Sequence, residues 1–113
     1  MTAPQPETLE REKDKLLAIL DSLFDYNPKT GLFIRKHASG GAKAGDVAGT
    51  VNKQGYRYIS IYKKRYLAHR LAWLCVHGEW PPSDLDHEDG IGDHNWIKNL
   101  RPATHSQNMA NMH

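Results

Sequence analysis

The sequence predicts an α+β fold, a small antiparallel sheet with helices packed on it. Leucine and isoleucine recur at three- and four-residue spacing between residues 6 and 23, the period of an amphipathic helix. Residues 55–62 are dense in β-branched and aromatic side chains that alternate between two faces. From Asp84 onward the pattern reads strand, loop, strand and the opening of a helix. A chain of 113 residues supplies one core, so residues 28–113 are expected to form a single domain preceded by the N-terminal helix.

Residues 1–27 hold a short polar lead and a helix over residues 6–23, whose apolar stripe is Leu9, Leu16, Leu17, Ile19, Leu20 and Leu23. Such a stripe must be covered, by the domain itself or by a second copy of the chain. Residues 26–31, Tyr-Asn-Pro-Lys-Thr-Gly, supply turn chemistry. Residues 32–35 read as a short strand and 47–51 as another. The glycine-rich loop between them, residues 39–45, lacks the spacing and following helix of a phosphate-binding loop and is given no nucleotide role. In the run over 55–62, Tyr56, Tyr58, Ser60 and Tyr62 face one way, and Arg57, Ile59 and Ile61 the other. Lys63-Lys64 turns the chain into residues 65–68. A helix follows over about residues 69–77, closed by Gly78 and Pro81-Pro82. Leu71, Leu74 and Cys75 share one face of it, which makes Cys75 a small buried apolar residue. A single cysteine excludes an internal disulfide and a multi-thiolate zinc site, and it points to a reducing, cytoplasmic setting. No apolar run reaches the roughly 18 residues of a membrane span, so no membrane partner is expected.

The formal net charge of +2 conceals a strong segregation. Residues 1–27 and 81–113 each carry a net charge of −3, and residues 28–80 carry +8, from ten basic side chains against Asp46 and Glu79. Cations interleaved with tyrosines suit a phosphate backbone, which needs charge neutralisation and flat hydroxyl-bearing rings. The candidate contacts are Arg57, Lys63, Lys64, Arg65 and Arg70.

The acidic last block clusters Asp84, Asp86, Glu88, Asp89 and Asp93 around His87, His94 and Asn95. Carboxylates beside a phosphate surface repel it unless a cation lies between them. An oxygen-rich, thiolate-free set suits a hard divalent ion such as magnesium. Residues 84–87 read as a strand, Gly90 and Gly92 as a loop, and residues 100–103 as the returning strand. Thr104 and Gln107 then have the spacing of a capping box, placing Asn108 one turn into a helix.

Ala68-His69-Arg70-Leu71-Ala72-Trp73, Gly78-Glu79-Trp80-Pro81, Asp86-His87, Asn95, Asn99-Leu100-Arg101, Ala103-Thr104 and Ser106-Gln107-Asn108 follow one another without gaps. In order and spacing, residues 66–112 resemble the phage and homing-type HNH endonucleases, members of the His-Me finger (ββα-metal) nucleases. Residues 45–73 also resemble a small AP2-type DNA-binding sheet. The first resemblance implies a ββα-metal catalytic motif in residues 81–113, with residues 28–80 as the docking sheet and helix. It implies a metal-dependent DNA endonuclease that leaves a 5′ phosphate and a 3′ hydroxyl; one chain offers one active site, so nicking of double-stranded DNA is expected. His87 matches the general base, a role suited to an imidazole that is largely neutral at pH 7. Asp86 and Asn108 match the ligands of one divalent cation, Mg2+ first and Mn2+ as the alternative. Asn95 matches the residue that pins the loop and orients the imidazole. Asn108 in place of the third-motif histidine makes this the HNN variant. The expected state is a monomer in the cytoplasm of a bacterial or phage-infected cell, with the N-terminal helix as the interface should a homodimer form.

Among the remaining histidines, His105 is a candidate phosphate contact and His94 a candidate to reach the metal, whereas His69 is expected to be structural. One rival reading is a non-catalytic DNA-binding module using the sheet of residues 28–70, opposed by the intact Asp86, His87, Asn95 and Asn108 set. A zinc-binding structural domain is opposed by the missing thiolates and the absence of paired histidine spacing.

Overall fold

The computed structural model describes residues 6–103. The expected last helix, with its capping box, His105 and Asn108, lies outside the described residues. Helix α1, Pro6–Leu23, runs directly into strand β1, Phe24–Asn27. Leu16 and Leu20 are buried in the core and Leu17, Ile19 and Leu23 pack against it, so the domain itself covers the stripe from Leu16 to Leu23. Strand β2, Leu32–Arg35, pairs antiparallel with β1 from Phe24↔Arg35 to Asn27↔Leu32.

Strand β1 is a departure from the sequence reading, which assigned Tyr26 and Asn27 to a turn. The turn is confined to residues 28–31, closed by the Gly31 amide on the Asn27 carbonyl at 2.7 Å. Extended backbone at Phe24 and Tyr26 lets both rings pack on Phe33, with centroids 6.3 and 4.6 Å away.

A second sheet has the order β3-β4-β5, with β3 at Thr50–Val51, β4 at Arg57–Ile61 and β5 at Lys64–Leu67. The strand expected over residues 47–51 is cut to two residues. Val47 instead bridges Ile34, and Gly49 sits at φ +94°, where a Cβ would come within 2.6 Å of the Tyr58 carbonyl oxygen. Ile59 and Ile61 point into the core, as the alternation predicts. The β4–β5 turn is Tyr62-Lys63, both at positive φ, so Lys64 belongs to the strand rather than to the turn. Two left-handed residues form the hairpin turn whose twist matches the strands, a shape usually made by Asn-Gly. Tyr62 is 74% exposed at this tip.

Helix α2, Ala68–His77, buries Ala68, Leu71, Ala72 and Leu74 completely. Gly78 closes it in the left-handed conformation, donating to the Leu74 carbonyl at 2.8 Å. Cys75 is half-buried, and burial, aided by Asp21, pushes its thiol up to about 11. The last hairpin pairs β6, Asp84–His87, with β7, Leu100–Ala103, and a 3-10 turn at Ile97–Asn99 leads into β7. Leu100 joins the core, which fixes this hairpin against α2.

Leu20 is 2% exposed. Leu20→Ala is therefore expected to cost about 2–5 kcal/mol of stability in urea denaturation. A loss below ~0.5 kcal/mol would show that α1 is not docked on the domain in solution.

Candidate active site

His87 is the last residue of β6, 6% exposed, and Asn95 lies in the following loop, 1% exposed. The His87 Nε2–H donates to Asn95 Oδ1 at 2.9 Å. An amide oxygen only accepts, so this bond selects the tautomer that leaves a lone pair on Nδ1. The pair anticipated from the motifs is thus brought together by eight residues of loop closing on themselves.

That loop is held from three directions. Inside it, Asn99 donates through Nδ2 to Asp89 Oδ1 at 3.0 Å and to the His94 carbonyl at 2.7 Å, and its Oδ1 accepts the Asp89 amide at 3.1 Å. The His94 Nδ1–H donates to Asp89 Oδ2 at 2.6 Å. That bond first, then the Ile91 amide, holds the Asp89 carboxyl down to about 2. From the first hairpin, the Tyr26 hydroxyl donates to the Asn95 carbonyl at 2.7 Å, and the Ile97 amide donates to the Pro28 carbonyl at 3.0 Å. Burial pushes the Tyr26 phenol well above its usual range, which keeps that donor in place. Gly31, at φ +78°, passes so close to Asn95 and Trp96 that a Cβ would overlap their backbone. From β4, Arg57 donates to Asp93 at 2.7 and 3.3 Å. Tyr56 packs over Gly92, where a Cβ would come within 2.7 Å of the ring.

The sequence reading missed two neighbours of the imidazole. His69, on the first turn of α2, meets the His87 ring edge-on at 5.0 Å, and Tyr56 approaches both rings at 5.7 and 5.9 Å. His69 is 7% exposed, and its Nδ1 has no hydrogen-bond partner among the described residues. Burial first, then the nearby His87 and Arg70, lowers its pKa to about 4. Only the position of His69 in the Ala-His-Arg-Leu motif pointed to it.

Asp86 sits beside His87 on β6 and faces its cross-strand partner Arg101, whose Nε and Nη2 donate to Oδ2 at 3.0 and 2.8 Å. Both donors fall on one oxygen. The other oxygen remains for a hard cation, and no thiolate competes, so the donor chemistry fits a magnesium-type ion held by few protein groups. The remaining acids correct the expectation of a cation-centred cluster. Asp89 is held by His94 and Asn99, and Asp93 by Arg57. Among the described residues no three of His, Cys, Asp and Glu converge on a metal position.

Arg57 also departs from its expected place at a DNA surface. Besides Asp93, its Nη1 donates to the Ala48 and Gly49 carbonyls at 3.2 and 2.9 Å, so the guanidinium is committed inside the protein. Lys63, Lys64 and Arg65 are exposed on the β4–β5 hairpin, and Arg65 lies 4.7 Å over the Tyr58 ring. Arg70 lies 5.6 Å over Trp80. None of these four forms an ion pair among the described residues.

The hairpin ends its first strand in a buried histidine, held by an asparagine of its own loop and flanked by an aspartate, the arrangement that the motif resemblance anticipated. Comparison with known proteins agrees: residues 66–110 match the family described as HNH endonuclease. A solved structure described as "DNA binding and cleavage by the HNH homing endonuclease I-HmuI" aligns with 79% of this chain at 27% identity and a TM-score of 0.58. The chain spans about half, 51%, of that protein's length. Comparison with curated proteins returns no match. The two findings support an HNH endonuclease, the family read from the motifs, on an α+β fold.

His69 makes stability depend on pH in a defined direction. Its folded pKa is depressed below the ordinary 6.5, so below that pH the unfolded chain binds a proton that the folded chain refuses until about pH 4. Stability is therefore complete above pH 6.5 and falls between 6.5 and 4, by up to ~3 kcal/mol. Urea denaturation across that range is expected to show the fall, and His69→Asn to shrink it. An identical slope in the variant would place the acid sensitivity elsewhere.

Proposed function

We propose that this chain is a divalent-metal-dependent endonuclease that nicks double-stranded DNA, with His87 as general base. The buried bond from His87 Nε2 to Asn95 Oδ1 carries the reading, because it leaves Nδ1 as the basic nitrogen. His87 takes a proton from water as the water oxygen bonds to the scissile phosphorus, and the bond from phosphorus to the 3′ oxygen breaks, that oxygen leaving with the electron pair and taking a proton from solvent to become the 3′ hydroxyl. Asn95 fixes the imidazole in plane and tautomer, so no reorientation is needed at the moment of proton transfer. Tyr26, Asn99 and Arg57 hold Asn95 and its loop, and act through them. Asp86, together with Asn108, would hold the cation, Mg2+ or in its place Mn2+. When bound, that ion supplies Lewis-acid stabilisation of charge developing on the phosphate and the leaving oxygen. Arg101 orients the Asp86 carboxylate through a single oxygen.

The cations of the β4–β5 hairpin and Arg70, which form no ion pair among the described residues, support duplex DNA as the partner, by neutralising phosphates. One chain brings one such site, which favours single-strand nicking by a monomer in the cytoplasm of a bacterial or phage-infected cell.

Supercoiled plasmid is expected to relax to the nicked form with magnesium, and not with chelator or with His87→Ala. DNA binding without cleavage under several divalent metals would favour the non-catalytic module instead. Replacing Lys63, Lys64 and Arg65 with Ala should reduce the slope of log affinity against log salt by up to roughly 3. An unchanged slope would place the phosphate contacts elsewhere.

A further inference from the structure

The β4–β5 hairpin turns on two residues that suit the turn poorly. Tyr62 and Lys63 both lie in the left-handed region, at φ +47° and +69°, where Asn-Gly would sit with little steric cost. A bulky side chain kept in that conformation points to what it presents rather than to what it folds. At this tip it presents an aromatic ring, 74% exposed, more than any other large hydrophobic side chain among the described residues. The ring has no aromatic or cationic partner among those residues.

The arm behind the ring is stiff and basic. Ile59 and Ile61 anchor β4 in the core, the Ile61↔Lys64 pair closes the ladder beside the turn, and Arg65 lies 4.7 Å over Tyr58. Lys63, Lys64 and Arg65 follow Tyr62 directly, and none of them forms an ion pair among the described residues. An exposed ring on a narrow, rigid arm with three adjacent cations is complementary to a polyanion whose interior is a stack of flat rings. The reach of the arm is also fixed. Strand β5 runs from the tip into α2, whose second residue, His69, meets the His87 ring at 5.0 Å. At about 3.3 Å per strand residue, Tyr62 therefore sits roughly 15–20 Å from His87, the length of about five base pairs of duplex.

We propose that Tyr62 is a wedge, whose ring enters the duplex between two adjacent base pairs, partly unstacks them and bends the DNA. Lys63, Lys64 and Arg65 hold the phosphates beside it. The step it enters is one that unstacks easily, a pyrimidine–purine step such as TA, about five base pairs from the phosphate presented to His87. The chain thus selects its site by the deformability of the DNA, through one residue, rather than by hydrogen bonds to many bases. The inference rests on the DNA-binding half of the function proposed above, and not on cleavage.

The test is run in chelator, on a short duplex with a fluorescence donor and acceptor at its two ends. With a central TA step, the wild-type protein is expected to shorten the end-to-end distance on binding. It should bind that duplex about tenfold more tightly than one in which an A-tract replaces the step. Tyr62→Phe should keep both effects. Tyr62→Asn should lose both and retain the salt slope set by the cations, yet raise the midpoint of urea denaturation, because asparagine tolerates left-handed backbone. A variant that folds better and bends DNA less cannot owe its loss to misfolding. With magnesium, mapped nicks should fall about five base pairs from the preferred step. An unchanged bend in Tyr62→Asn, a bend lost in Tyr62→Phe, a lowered urea midpoint in Tyr62→Asn, or nicks scattered about the step would overturn the wedge. Absence of DNA binding by the wild type would overturn the wedge and the proposed function together. Bending by the wild type without nicking under any divalent metal would sink the nuclease reading and leave the wedge standing.

Discussion

The structure depends on one buried polar contact, the hydrogen bond between His87 and Asn95. Burying an imidazole and an amide is unfavourable unless each finds its partner, and a partner supplied by a loop is only as good as the loop is rigid. Asn95 lies in a segment without regular structure between β6 and the 3-10 turn, where strand ladders cannot fix it. The surrounding chain supplies that rigidity instead. Tyr26, Pro28 and Gly31 come from the first hairpin, Tyr56 and Arg57 from the second sheet, and Asn99 from the loop's own exit. Elements as distant in sequence as Tyr26 and Asn95 are therefore parts of one support.

The same support settles how an acidic segment coexists with a basic one. Asp93 takes Arg57, Asp89 takes His94 and Asn99, and Asp86 takes Arg101. These carboxylates are neutralised or hydrogen-bonded locally, so they project little field beyond the loop. Lys63, Lys64, Arg65 and Arg70 have no such partners among the described residues, and their field is left for an external anion. Charge counted along the sequence cannot make that distinction. It scored Arg57 with the other cations, yet Arg57 is the one whose donors point inward.

Much of the architecture was legible because it rests on local periodicity. Helix α1, helix α2 with its Gly78 stop, and the strands at residues 32–35, 84–87 and 100–103 all announce themselves by spacing and breakers. Strand β1 did not, because Tyr-Asn-Pro reads as a turn, and only packing against Phe33 extends it. Strand β3 is shortened for a related reason, since Gly49 answers to the Tyr58 carbonyl across the sheet. The His87–Asn95 pair was legible through the motif resemblance. Its supports Tyr26 and Gly31 were not, as their role exists only through contacts some 65 to 70 residues along the chain. His69 was legible as a motif position, but its closeness to His87 was not.

That closeness bears on what the role proposed for His87, a general base, would require. The base must accept a proton, and an imidazolium formed 5.0 Å from a second imidazolium would be opposed by repulsion. His69 avoids the conflict by being neutral: burial, more than any charge, drives its pKa to about 4. A neutral ring can fill the wall beside His87 and meet its edge without contesting the incoming proton. A lysine or arginine at residue 69 would pack as large a side chain into the same corner but place a fixed charge there. Phenylalanine would keep the packing and lose the nitrogen. A buried, proton-poor histidine is a side chain that would leave the proposed base at residue 87 free to accept its proton.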